Sequence, residues 1–113
     1  MATTLADLPI PLPMDEIAVL CREYQVRELS IFGSVLRNDF RDESDIDLLV
    51  LFEPEAQIGF LELAGLQFAL ADLLSRSVDL VPKNGLKPFI RDEVLASAQV
   101  IYAAVGPPAL PSF

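Results

Sequence analysis

The chain has 113 residues and a mass of 12.4 kDa, with 52% apolar residues and a mean hydropathy of +0.42, which fits one domain with a sizeable core and excludes disorder of the chain as a whole. Seventeen acids against eight bases give a net charge of −9 and a pI of about 4.2, which argues against non-specific nucleic-acid binding through Lys and Arg and means that any phosphate ligand calls for a mediating cation. With no histidine and only Cys21 as a thiol, Ser-His-Asp and Cys-His catalysis, His-containing metal sites, disulfides and Cys-cluster zinc are all removed, and a lone thiol suits a reducing cytoplasm. Chemistry therefore falls to carboxylates, hydroxyls, Arg and Lys.

Six of the nine prolines lie in two terminal stretches, 1–13 and 106–113, which read as extended because proline fixes φ and restricts its predecessor. Met1 to Met14 carries no Lys or Arg and does not read as a secretory leader. The folded domain is expected over 14–105. Ile17, Leu20, Cys21 and Tyr24 recur at helical spacing, predicting a first amphipathic helix. Val26 to Phe32 is β-prone and stops at Gly33, which predicts a strand. Asn38 to Ser44 is a polar loop. Ile46 to Phe52 is a nearly continuous apolar run ended by Glu53-Pro54, as in a strand covered on both faces. Gln57 to Arg76, rich in Leu and Ala, predicts a long helix. Its apolar residues cover more than one stripe, either as a central core helix or with one side meeting a partner chain. Glu62, Gln67 and Asp72 interrupt it, so it falls short of the roughly 20 apolar residues of a membrane span. Val78 to Val81 predicts a third strand, and Pro88 opens a last helix on which Ile90, Val94 and Ala98 share a face. The order αβ(α)βαβα gives an α/β (α+β) class, helices packed on a small central sheet.

Three elements could carry chemistry. Asp45 and Asp47 open the second strand at i, i+2, so both point to one face. Paired carboxylates repel unless protons or cations lie between them, and hard oxygens at this spacing suit Mg²⁺, although a strand-entry loop explains an Asp-x-Asp taken alone more often than a metal does. Upstream, the first strand ends in Gly33-Ser34, with Arg37 three residues on. Glycine admits close backbone approach, and Ser34 at the start of a helical turn, with Arg37 on the same side, suits a phosphate as well as it suits a simple N-cap. The third is Asp79, a carboxylate within a short strand, costly if buried unpaired. It pairs with an Arg or Lys, or joins Asp45 and Asp47 around metal. Lys83, Lys87 and Arg91 read as a solvated face or as residues approaching the phosphates.

Taken together, the string Gly-Ser-Val-Leu-Arg, six further residues, Ser-Asp-Ile-Asp-Leu-Leu-Val and then a lone strand Asp beyond a long helix resembles the minimal nucleotidyltransferase (MNT) family of the DNA polymerase β-like superfamily. The likeness is closest to the MNT antitoxins paired with HEPN-domain toxins, and runs from about residue 15 to 103. The resemblance implies the nucleotidyltransferase fold with a mixed sheet, Gly33, Ser34 and Arg37 holding a nucleoside triphosphate, and Asp45, Asp47 and Asp79 binding two Mg²⁺ ions. It further implies Asp79 helping to activate an acceptor hydroxyl. Where the family often has a small residue before that Arg and Gly after it, this chain has Leu36 and Asn38. The activity implied is transfer of AMP from ATP to a hydroxyl, expected to be a tyrosine, of a HEPN ribonuclease toxin. The partners expected are that toxin and ATP, in a hetero-oligomer or beside a homodimer, in the cytoplasm, with neither nucleic acid nor membrane. The alternatives are an antitoxin that acts by occlusion with a non-catalytic nucleotide site, and a transferase acting on a small molecule such as an aminoglycoside.

Overall fold

The computed structural model describes residues 11–33 and 45–104. The expected turn bearing Ser34 and Arg37, the loop 38–44, and the terminal stretches 1–10 and 105–113 lie outside the described residues.

Helix α1 spans Met14–Glu23. Asp15 and Glu16 in its first turn and Arg22 in its last complement the helix dipole. Ile17 and Cys21, one turn apart, face inward and are fully buried. Burial pushes the Cys21 thiol from 9.0 up to about 12, against a smaller opposing effect of the Arg22 charge. Cys21 is therefore expected to ignore a disulfide reagent such as DTNB at pH 8 in the native protein and to react within minutes in denaturant; rapid native labelling would contradict the packing. Because the folded thiol holds its proton to higher pH than the unfolded one, this group's contribution to stability is intact below about pH 9 and declines as pH rises from there toward 12.

Gln25, at φ 59, turns the chain from α1 into strand β1, Val26–Phe32. Strand β2 follows at Ile46–Phe52, helix α2 at Phe60–Leu74, and strand β3 at Val78–Pro82. After a 3₁₀ turn at Lys83–Gly85 come helix α3, Pro88–Ser97, and strand β4, Gln99–Ala103. The sheet order is β3-β2-β1-β4. β1 is antiparallel to β2 and to β4, while β2 and β3 are parallel and joined by the α2 crossover that a parallel pair requires.

The three expected strands match the structure nearly residue for residue, and the long helix is trimmed from 57–76 to 60–74. The order αβ(α)βαβα needs one correction: among the described residues the last element is a strand, β4, and not a helix. The last helix stops at Ser97, where Ala98 turns extended (φ −64, ψ 144), and Gln99, β-branched Val100, Tyr102 and Ala103 pair against β1 instead. Of the face expected to carry Ile90, Val94 and Ala98, the last lies just past the helix end, and α3 has no buried residue.

One sheet face carries the core. Leu29, Ile31, Ile46, Leu48, Val50, Val78 and Leu80 pack there with Ile17 and Cys21 of α1 and Leu66 and Leu70 of α2, each large side chain contributing about 1.5–3 kcal/mol. The N-terminus of α2 is held by Glu62, whose carboxylate accepts the Gly59 backbone N–H at 2.9 Å. Inside, the Gln67 side-chain Oε1 accepts the Leu80 backbone N–H at 3.0 Å and fastens helix to strand. Outside, α2 leaves Phe60, Leu61 and Phe68 between 70% and 81% exposed. On the opposite sheet face Lys83 Nζ reaches Glu28 Oε1 at 2.8 Å, drawing the 3₁₀ turn across β2.

Candidate functional site

Strand alternation decides which way the acids point. Ile46 and Leu48 flank Asp47, and Val78 and Leu80 flank Asp79; all four neighbours are buried in the core. Asp47 and Asp79 must therefore project from the face away from α1 and α2. The parallel register then sets Asp47 directly beside Asp79, and the antiparallel register sets Phe32 on the other side of Asp47. Phe32, Asp47 and Asp79 form one row across three strands. Asp45 continues the line of Asp47 one step toward the start of β2, where the Ile46 N–H donates to Ser77 O at 2.9 Å and ties the two strand starts together. Asp45 and Asp79 are exposed and Asp47 half-buried.

At the end of that row the chain passes through Gly33, at φ 82. A Cβ on Gly33 would fall against Asp47, 2.9 Å from Cγ and 3.1 Å from Cβ, with Oδ2 closer still. Glycine is thus required twice, for the left-handed backbone and for the seat of the Asp47 carboxylate. The pair Gly33 and Asp47, fourteen positions apart in sequence, is one structural unit.

The donor set is entirely carboxylate oxygen, which fits Mg²⁺, an ion commonly held by one or two carboxylates together with substrate phosphates. Asp47 and Asp79 are the two that register brings side by side. Among the described residues no three His, Cys, Asp or Glu side chains converge as a complete cation cage, so two carboxylates plus a phosphate is the arrangement that the geometry suits. Like charges directly opposed across strands cost about 0.2–1 kcal/mol, a cost that a bound cation removes.

Of the expected site residues, the structure brings Gly33, Asp47 and Asp79 together and places Asp45 next in line. Ser34 and Arg37 lie outside the described residues. Lys83 is engaged with Glu28 rather than with the acidic row. Sequence reasoning passed over Phe32, a row neighbour of Asp47, and Gln67, whose one signal is an amide between Leu66 and Phe68 in an apolar helix. A cleft of about 630 Å³ opens at the other end of β2, lined by Phe52, Pro54, Ile58, Phe60, Leu63 and Pro82 among others. It holds no carboxylate pair.

Residues 17–101 match the nucleotidyltransferase domain family. A Thermococcus cleftensis relative named protein adenylyltransferase MntA is 39% identical over 83 residues, covering 74% of this chain and 80% of its own. Two solved structures share the fold. One, a toxin-antitoxin with AMP-PNP, superposes with a TM-score of 0.67 at 23% identity, over 83% of this chain and 76% of that one. The other is a Shewanella oneidensis tri-AMPylated HEPN toxin in complex with its MNT antitoxin. It gives a TM-score of 0.59 at 22% identity, over 80% and 70%.

Proposed function

The chain belongs to the nucleotidyltransferase domain family, and from that premise we propose that it is an antitoxin enzyme that transfers AMP from ATP to a tyrosine hydroxyl of a partner HEPN ribonuclease toxin. The observation that carries this reading is the in-register pair Asp47 and Asp79 seated beside Gly33. A relative named protein adenylyltransferase supports the chemistry. Like-folded toxin-antitoxin structures, one with AMP-PNP and one with an AMPylated HEPN toxin, support the donor and the acceptor.

In this reading the acceptor hydroxyl oxygen attacks the α-phosphorus of ATP in line, the bond from that phosphorus to the bridging oxygen breaks, and pyrophosphate leaves. Asp79, exposed on the strand face, accepts the hydroxyl proton. Gly33 lets the triphosphate approach the backbone, and Ser34 and Arg37 supply hydrogen bonds and charge to its oxygens. Asp45 and Asp47 with Asp79 would hold Mg²⁺, two ions in all. The metal would supply charge neutralisation at the attacking and leaving oxygens. No histidine is needed at any step. The partner brings its own hydroxyl, and the exposed Phe60, Leu61 and Phe68 of α2 offer an apolar surface for a hetero-oligomer.

The test is intact mass of the protein encoded by the adjacent gene after incubation with this chain, ATP and Mg²⁺. One or more added AMP units are expected, and none with Asp45→Ala/Asp47→Ala. The same exposed apolar face also suits a second reading, neutralisation by occlusion. An unmodified partner in a stable complex with both proteins would favour that reading and sink the first.

A further inference from the structure

Among the described residues β3 is the outer strand of the sheet, with β2 as its one strand neighbour. The outward N–H of such a strand normally faces water. At Leu80 it does not: Gln67 Oε1 accepts that N–H at 3.0 Å in a part-buried setting, reaching across from α2. The N–H belongs to the peptide plane that joins Leu80 to Asp79. Holding that plane fixes the backbone torsion of Asp79, and with it the direction in which the Asp79 carboxylate leaves the strand. The Leu80 side chain, 5% exposed, anchors the same point from the core.

Gln67 is also out of keeping with its helix. The residues around it, Leu63, Leu66, Leu70, Leu73 and Leu74, pack on the core, and an amide in such surroundings is expensive unless its polar atoms are used. Its oxygen is used one residue from Asp79.

We infer that Gln67 is the positioning residue of the acidic row: by accepting the Leu80 N–H it orients Asp79 beside Asp47, so that the two carboxylates can share a divalent cation. This rests on the transferase reading for its purpose, but not for its test.

The variants are Gln67→Met, which keeps the length and loses the acceptor, and Gln67→Glu, which keeps both. Mn²⁺ is titrated into each full-length protein without nucleotide or partner, free Mn²⁺ being read by electron paramagnetic resonance, alongside thermal melts and AMP transfer. The expected result for Gln67→Met is Mn²⁺ affinity weakened about tenfold or more, the usual effect of losing a group that orients a metal ligand, with transfer falling in parallel at temperatures well below its melt. Gln67→Glu, which keeps the acceptor, is expected to escape that loss in both readouts. If Gln67→Met does not fold, Gln67→Asn, whose amide falls one methylene short of Leu80, carries the same expectation. Equal Mn²⁺ affinity in parent and folded variant, absence of binding included, overturns the role, as does a Gln67→Glu protein impaired as badly as Gln67→Met. A parent that binds Mn²⁺ yet transfers no AMP removes the transferase reading alone.

Discussion

Gly33→Ala is expected to lower Tm by about 5–15 °C and to reduce AMP transfer at least a hundredfold at temperatures where the variant remains folded. The stability loss has two sources. An L-residue in the left-handed region costs about 1–2 kcal/mol, and in a domain of this size each kcal/mol moves Tm by about 4–8 °C. The second source is steric. The new Cβ would meet the Asp47 carboxylate, 2.9 Å from its Cγ, so either the strand end or the carboxylate must move. The two effects separate in a double-mutant cycle. Asp47→Ala removes the group that is struck, so Gly33→Ala/Asp47→Ala should be less destabilised than the sum of the single changes by about 0.5–3 kcal/mol. Strict additivity in thermal or urea melts would show that Gly33 and Asp47 do not share a seat. Wild-type transfer by folded Gly33→Ala would remove the row from the chemistry.

Asp79→Asn is expected to move the two properties in opposite directions. Its carboxylate is exposed and stands directly beside Asp47 across the parallel ladder. Removing that charge relieves a repulsion of about 0.2–1 kcal/mol, which should raise Tm by about 1–8 °C, and by more at low salt, where exposed charges are less screened. Transfer should fall by about 10²–10⁴, the usual effect of losing a positioned proton acceptor. Melts at low and high salt, paired with partner mass after incubation with ATP, check both halves. A variant that loses stability as well as activity would mean that Asp79 holds the sheet together rather than serving the reaction.

Much of this architecture is legible from residue order because the sheet is built from short, strongly apolar strands with plain stops. Ile46 to Phe52 ends at Glu53-Pro54, Val78 to Val81 runs into Pro82, and the first strand ends at Gly33. The site is legible for a related reason. A carboxylate in a run such as Ser-Val-Asp-Leu-Val can escape the core in just one direction, so its facing follows from its neighbours. What composition and spacing do not carry is register. Nothing in the sequence says that Asp79 lies opposite Asp47 rather than Asp45; that follows from the Ile46–Ser77 backbone bond and the pairing beyond it. Strand β4 is not legible because Val94 to Tyr102 continues an apolar pattern compatible with a helix, and the change of period at Ala98 has no glycine or proline to announce it. The absence of buried residues on α3 likewise depends on what lies beside it, which no local pattern encodes.

The row Phe32, Asp47 and Asp79 draws one residue from each of three strands, and two of them are joined by a parallel crossover. Closing that crossover means spending loop entropy on the whole α2 excursion before any ladder bond between β2 and β3 forms, the kind of non-local pairing that slows folding. The two carboxylates come together only when that crossover closes. A chain still emerging from the ribosome carries Asp45 and Asp47 long before it carries their neighbour. The pair is complete only once β3 lies beside β2.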